Sequence, residues 1–401
     1  MSNPSLSYTP RFLQLLTGMA DQDLPGRPSI QQLPGRYVKM IAAMGEQFYH
    51  DDQRNYFELT CASCQKAGRY DLATVCVKSP MPDTQELSNT FSLGQAEGRD
   101  TLQPNSKAKL QLWPDYLQCM GYFHCAHCHA AGPWLVSPRT NSMLMLGAMA
   151  GMLENRLTAQ GVEGLNPNLH FHIGKLLIDN GFEPSLGTDA EAYYLDKLGD
   201  APEDAWLWNR LGNTYLKGHR PELAIVAYEH SLRFDANQME SHYSIGMLLY
   251  EVGAYAEAIP HLQDALALAN GYKQLSPQLL RAFLMEVVRM LDECADQVDQ
   301  DFTLLLPADD DEAAKKGEPW AMPLREELIA EFEEADSDEE CGELYIYLAE
   351  TYMSSEVAQL VNPVVAVFAD RYGIPIKQRS SKKPVSQATK KKKSKRKKKS
   401  R

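Results

Sequence analysis

Between residues 205 and 271 the apolar positions recur at helical spacing, in runs broken by short polar turns. "AWLWNRLGNTYLKGHRPELAIVAYEHSLRFDAN" holds two such runs on either side of "KGHRP", and "MESHYSIGMLLYEVGAYAEAIPHLQDALALAN" repeats the scheme. "LSPQLLRAFLMEVVRMLDECADQVD" reads as a further amphipathic helix suited to capping a stack. Nearer the N-terminus the period changes, and "YFEL", "RYDLATVCVKS", "GYF" and "PWLVSP" read as short strands around two cysteine pairs. Ahead of them, "PRFLQLLTGMADQ" and "PGRYVKMIAAMGEQFYHD" each begin at a proline, which suits the first turn of a helix. Both are expected to pack against the cysteine-bearing module. In "TNSMLMLGAMAGMLENRL", Met143, Met145, Met149 and Met152 predict a helix-core stripe, with a methionine-lined ligand groove or copper site as the alternative.

The helical runs repeat at a fixed interval. Gly246, Ala258, Leu262 and Ala265 follow Gly212, Ala224, Tyr228 and Ser231 by 34 residues in each case. Small residues alternate with bulky ones where two helices must cross closely, and helix, turn, helix at this period is a specific signal. The segment resembles the tetratricopeptide repeat family, whose signature falls on Trp208, Leu211, Gly212, Tyr215, Ala224 and Tyr228, with Ser231 in place of the last alanine. The second copy departs further, with His242 and Leu249 where Trp208 and Tyr215 stand. A degenerate third copy is expected upstream, with Ile173 and Gly174 in place of the Leu-Gly pair and a four-residue insertion near "FEPSLGTD". Three units or caps are needed for such a stack to bury its faces. The resemblance implies a groove that binds a protein or peptide. Trp206, Trp208, Tyr193 and Tyr194 read mainly as core filler, and no cluster of groove-facing Lys, Arg or Asn names a carboxylate-ended peptide. His170 and His172, two apart in an expected helix, would point to different sides and read as packing or surface residues.

The cysteines occur as "CASCQKAGRY" and "CAHCHAAGPW", 64 residues apart. Both obey C-x-x-C-x-x-x-G, with Gly68 or Gly132 expected to permit a tight bend and Tyr70 or Trp134 two residues on. Two such turns supply four sulfurs, enough for tetrahedral zinc. The arrangement resembles a zinc ribbon split by about 60 residues, an insertion whose closure cost grows only logarithmically. The predicted ligands are Cys61, Cys64, Cys125 and Cys128, around a structural Zn²⁺. Mixed Cys/His sites drawing on His124, His127, His129, Cys76 and Cys119 are the alternative. Four thiolates leave no open position for catalytic water, and neither H-E-x-x-H nor an H-x-E with P-C-x-x-C signature occurs. A thioredoxin-like redox role is disfavoured because glycine and strand residues, rather than a helix, follow each pair.

Charge divides the chain. Of its 40 basic and 53 acidic residues, 14 basic and no acidic residues lie from Lys377 to Arg401, leaving −27 on the first 376 positions. "KQRSSKKPVSQATKKKKSKRKKKSR" has too few apolar residues to build a core and is expected to be disordered, able to contact nucleic acid or another polyanion. From Asp309 to Glu340 there are 14 acidic residues against Lys315, Lys316 and Arg325, and "GELYIYLAETYMSSEVAQLVNPVVAVFADRYGI" then offers one or two helices that could dock on the stack. No run of eighteen apolar residues occurs and the start lacks a secretory pattern, so transmembrane association is not expected and a soluble, cytoplasmic location is, with a nuclear one if the host is eukaryotic.

The fold expected is mainly α: a tetratricopeptide-like stack with a small N-terminal zinc-ribbon-like β module and a disordered basic tail. The expected divisions are 1–155 for the cysteine module, 166–296 for repeats and cap, 297–342 for the acidic linker, 343–376 for a short helical segment and 377–401 for the tail. Function is expected to be that of a non-enzymatic protein–protein interaction adaptor. A nucleic-acid-associated factor using the ribbon and tail is the alternative, and an enzyme is disfavoured because no nucleophile, base and oxyanion set is recognisable.

Overall fold

The computed structural model describes residues 7–45, 48–49, 54–78, 110–158, 170–307, 328–329 and 338–362. The basic tail, most of the acidic tract and the segment from 79 to 109 lie outside the described residues. The chain is mainly α-helical, with a repeat-like helical stack and a small β region towards the N-terminus.

The β region comprises β1 (Tyr56–Cys61), β2 (Ala67–Asp71), β3 (Val75–Val77), β4 (Gln111–Leu112), β5 (Leu117–Cys119), β6 (Trp134–Val136) and β7 (Phe171–Ile173). One antiparallel sheet runs β2-β1-β6-β4 and the other runs β5-β3-β7, with β3 and β7 parallel. Their shared core contains Leu59, Leu72, Val75, Val77, Leu117, Phe123, Trp134 and Val136.

Preceding the sheets are α1 (Pro10–Thr17) and α2 (Val38–Ala43), and α3 (Pro138–Thr158) follows β6. Six helices build the stack: α4 (Gly187–Asp200), α5 (Ala205–Lys217), α6 (Pro221–Phe234), α7 (Met239–Glu251), α8 (Tyr255–Ala267) and α9 (Pro277–Val298). Each packs on its chain neighbour. Local chemistry sets the boundaries: Asp204 caps α5 by accepting from the Leu207 N–H at 3.1 Å, Pro221 and Pro277 occupy first-turn positions, and Ser276 caps α9. The close crossings recur at the predicted interval. A Cβ on Gly212 would stand 2.5 Å from the Tyr228 ring, and one on Gly246 would stand 2.7 Å from Leu262. After α10 (Phe302–Leu305), α11 (Asp338–Glu350) and α12 (Ser355–Val361) pack on α9, so these C-terminal helices dock on the stack, one of the options the sequence leaves open.

Three expectations need correction. The upstream degenerate repeat lacks its first helix, because Phe171–Ile173 forms β7 beside β3 and only α4 remains of the helical pair. A short apolar run satisfies a strand as readily as a helix, and here a neighbouring strand edge took it. The N-terminal helices pack mainly on the stack, not on the cysteine module: Phe12 of α1 meets Tyr215 at 5.0 Å and Trp208 at 6.2 Å between ring centroids. At α2, the Arg36 and Tyr37 N–H groups donate to Glu229 of α6 at 3.0 and 2.8 Å. Finally, the methionines of α3 do not form one buried stripe. Met145 is buried, but Met143 and Met149 are about half exposed, at 49% and 52%. The side that seats α3 is instead small, since a Cβ on Gly147 or Gly151 would strike Phe171.

The β region and the stack join at a buried polar cluster. Tyr122 and Tyr215 both donate to Glu191 Oε1, at 2.8 and 2.7 Å, and the Arg220 guanidinium lies 5.3 Å from the Tyr122 ring centre while pairing with Glu222. Nearby, His219 in the α5–α6 turn meets Asp71 of β2 at 2.8 Å and stacks on Tyr49. Burial raises the Glu191 carboxyl to about 7, against the two tyrosine hydroxyls and Arg220, which favour the anion. A folded-state value above the unfolded one gives stabilisation that is complete below about pH 4 and is lost as pH rises through 7. Glu191→Gln is expected to remove this part of the pH dependence, worth about 3 kcal/mol between the protonated and ionised limits for the shift to about 7. Urea unfolding of wild type and variant at pH 5 and pH 8 checks it: the wild type should lose stability relative to the variant at the higher pH.

Candidate metal centre

Two turns of the same construction bring the cysteines together. In the first, Cys61 ends β1, its N–H donates to the Lys66 carbonyl at 3.0 Å, and the Gln65 N–H returns to the Cys61 carbonyl at 2.8 Å. In the second, the Cys125 N–H donates to Ala130 at 2.9 Å and the His129 N–H returns to Cys125 at 2.8 Å. The fifth residue of each turn, Gln65 or His129, takes the left-handed backbone, with φ of 58° and 65°. The bends therefore do not depend on Gly68 and Gly132. Gly68 instead lets the Tyr70 ring lie over the strand, because a Cβ there would stand 2.7 Å from the Tyr70 hydroxyl.

Sheet register sets the turns against each other: β1 pairs with β6 through Thr60 and Leu135 and through Cys61 and Trp134. Beneath them, Tyr70, Phe123 and Trp134 form a mutually contacting aromatic group, with ring centroids 4.6 to 5.2 Å apart. The Trp134 indole N–H donates to the Ala131 carbonyl at 3.0 Å and the Ala126 N–H reaches the Tyr70 hydroxyl at 3.4 Å, tying this floor to the second turn.

The Sγ atoms of Cys61, Cys64, Cys125 and Cys128 all lie within 4.8 Å of one another. Cys61 and Cys128 approach to 3.5 Å, and Cys64 and Cys125 to 3.6 Å. A tetrahedral ion with metal–sulfur bonds of about 2.3 Å separates its sulfurs by about 3.8 Å, so the donor set and its spacing fit a structural metal site. Disulfides need about 2.05 Å, and all four cysteines are free. Cys61 and Cys125 are buried, Cys64 is half-buried and Cys128 faces solvent.

Proton affinities agree with a site suited to a cation. Burial opposes ionisation of Cys125, yet the N–H groups of Cys128 and His127 and the neighbouring thiols draw it down to about 6. For Cys128 the Ala130 N–H favours the thiolate, but the hydrogen bonds shared with Cys61, Cys64 and Cys125 push it up to about 12. The thiolate is favoured at Cys125 and resisted at Cys128, and a bound divalent ion would favour it at both.

None of His124, His127 and His129 joins the four-sulfur group. His124 is buried and stacks on His129 at 4.5 Å, and His129 is held by the Ser7 hydroxyl at 2.9 Å and the Tyr8 carbonyl at 3.1 Å. Arg27 reaches the His127 carbonyl. Cys119 donates to the Leu72 carbonyl at 3.1 Å within the core, and Cys76 lies on β3. His172 sits on β7 in register with Cys76 of β3, and neither joins the four-sulfur group. The N-terminal residues at the second turn were not foreseen, since Ser7, Tyr8 and Arg27 carry no periodic or motif signal.

Cys61→Ser and Cys125→Ser should each lower zinc per chain to a similar extent, read by inductively coupled plasma mass spectrometry. The far-ultraviolet helix signal should largely survive, because the stack's core is separate from the one beneath the cysteines.

No family model matches the chain. Part of it is similar to proteins named peroxisomal targeting signal receptor. That of Candida albicans is 36% identical over 71 residues, 18% of this chain and 12% of the relative. That of Yarrowia lipolytica is 37% identical over 94 residues, 21% of this chain and 16% of the relative. For the Candida glabrata protein the figures are 27% over 122 residues, 30% of this chain and 20% of the relative. The chain thus spans a fifth or less of the length of these relatives.

Proposed function

We propose that this protein is a non-enzymatic interaction adaptor in which a zinc ion on Cys61, Cys64, Cys125 and Cys128 stiffens a ribbon-like module, and tetratricopeptide-like repeats bind a protein or peptide. The recurrence of the Gly212 and Tyr228 crossing at Gly246 and Leu262 supports the repeat assignment. The relatives' name, a receptor for a targeting signal, supports a binding role.

The observation that carries the reading is the side-chain stripe shared by α5, α7 and α9. Arg210 and Asn213 on α5, Tyr243, Met247 and Tyr250 on α7, and Phe283, Glu286 and Arg289 on α9 are all half-buried at helical spacing. The Tyr243 and Phe283 rings of the stripe lie 3.8 Å apart across α7 and α9, and beneath it the buried Asn209 donates to Ser241 at 2.8 Å, holding α5 against α7. Polar and aromatic groups held on rigid helices suit recognition of another chain. Among the described residues, no helix is long and apolar enough to cross a membrane.

A photo-crosslinking amino acid at Met247 should give discrete protein adducts in cells, whereas one at Arg233, exposed on α6, should not. Tyr243→Ala should reduce the Met247 adducts several-fold. Equal adduct patterns from the two positions would contradict the adaptor reading.

A further inference from the structure

The two repeats depart from each other together at three corresponding positions. Where the first has Trp208, Ala227 and His230, the second, 34 residues on, has His242, His261 and Asp264. In the first, Trp208 is buried and packs on His230 with ring centroids 4.4 Å apart. In the second, the same places on α7 and α8 gather side chains of the types that bind metals: His242 Nδ1 lies 3.2 Å from His261 Nδ1 and 3.3 Å from Asp264 Oδ2.

Hydrogen bonds around the pair set which nitrogens carry protons. His242 Nε2 lies 2.9 Å from the Ala236 carbonyl, which only accepts, so in the neutral ring the proton is on Nε2 and Nδ1 keeps a bare lone pair. Beside that lone pair stands an Asp264 oxygen, which when ionised has no proton to donate either. A cation between these two acceptors turns their repulsion into attraction. His261 Nε2 lies 3.2 Å from the Tyr37 hydroxyl, a group that can donate or accept. With its proton on Nδ1, His261 donates to His242; with the proton on Nε2, it donates to the Tyr37 oxygen and both Nδ1 lone pairs meet. Metal-bound histidines characteristically give their other N–H to an oxygen in this way.

Nitrogens bound at about 2.0 to 2.1 Å stand about 3.3 Å apart around a tetrahedral ion and about 2.9 Å apart at octahedral right angles, and the observed 3.2 Å lies between. His242 is buried, whereas the Asp264 side chain is 56% exposed and leaves an ion a way in. Two nitrogens are in place and the carboxylate must swing to complete the set, since among the described residues only the cysteines form a ready group of three or more ligands. We infer that His242 and His261 hold an exchangeable divalent ion that prefers imidazole, such as Ni²⁺, with Asp264 as third ligand and water in the remaining positions. The ion joins α7 to α8 beside Tyr37 and so pins the residue that leads into α2 against the second repeat. With fewer protein ligands than the cysteine centre, the site fills only when metal is supplied. The adaptor reading does not depend on it.

Nickel binding to the full-length protein, untagged and as purified, tests the site by isothermal titration calorimetry and by the midpoint of thermal unfolding. Wild type should take up one more Ni²⁺ per chain than His261→Ala, and added Ni²⁺ should raise the wild-type midpoint but not that of the variant. His261→Ala matches the first repeat, which has Ala227 at the corresponding position, so the helix crossing should survive. Nickel bound at the cysteines or at the histidines near them is common to both proteins and cancels in the comparison. Asp264→Asn and Tyr37→Phe should each weaken the ion about tenfold, the first by removing a ligand and the second by loosening the His261 ring. The Asp264 change is at an exposed position and keeps the test decisive if His261→Ala does not fold. Equal nickel uptake by wild type and His261→Ala, or an affinity indifferent to Asp264→Asn, overturns the site.

Discussion

The convergence of four sulfurs is the constraint on which the N-terminal half depends. The two cysteine turns are separated by the 60 residues from 65 to 124, and their backbones meet through the short pairing of β1 with β6, extended by the Ala62 N–H donating to the Pro133 carbonyl at 3.0 Å. Thiolate charges on sulfurs 3.5 and 3.6 Å apart would repel one another. A tetrahedral divalent ion would turn that repulsion into attraction and close the intervening loop, at an entropic cost that grows slowly with loop length. The aromatic floor of Tyr70, Phe123 and Trp134 is placed by the same pairing, so the small core and the sulfur group are one construction.

That construction is tied to the helical stack by groups close to the second turn in sequence. Tyr122, three residues before Cys125, shares Glu191 with Tyr215, a residue of the first repeat's signature. Ser7 and Tyr8 hold His129, and a few residues later Phe12 packs on Tyr215. The N-terminal segment thus touches both the cysteine turns and the stack, and the β region substitutes for the missing upstream helix. Position of the turns and position of the first repeat are consequently coupled, while the half-buried stripe on α5, α7 and α9 extends away from the joint on helices with their own core.

Features set by local chemistry were legible in the sequence. The cysteine spacing named the sulfur group, and the small residues at Gly212 and Gly246 named the helix crossings because only a residue without a side chain fits there. Features set by distant partners were not. The apolar run at Phe171–Ile173 suits a strand or a helix, and the free edge of β3, almost a hundred residues earlier, decided between them. The apolar face of α1 shows that it docks but not where, and Phe12 found the stack. The glycines of the cysteine turns were assigned the bend, whereas the left-handed positions fell on Gln65 and His129, where the hydrogen bond back to the first cysteine closes each turn.

The central claim is that one ion is held by all four sulfurs, and the zinc K-edge X-ray absorption of the full-length protein, purified without added metal, tests it most directly. The account predicts a single zinc environment with four sulfur neighbours at about 2.3 Å. A first shell containing nitrogen or oxygen at about 2.0 Å, or a folded protein with no bound metal, would contradict it.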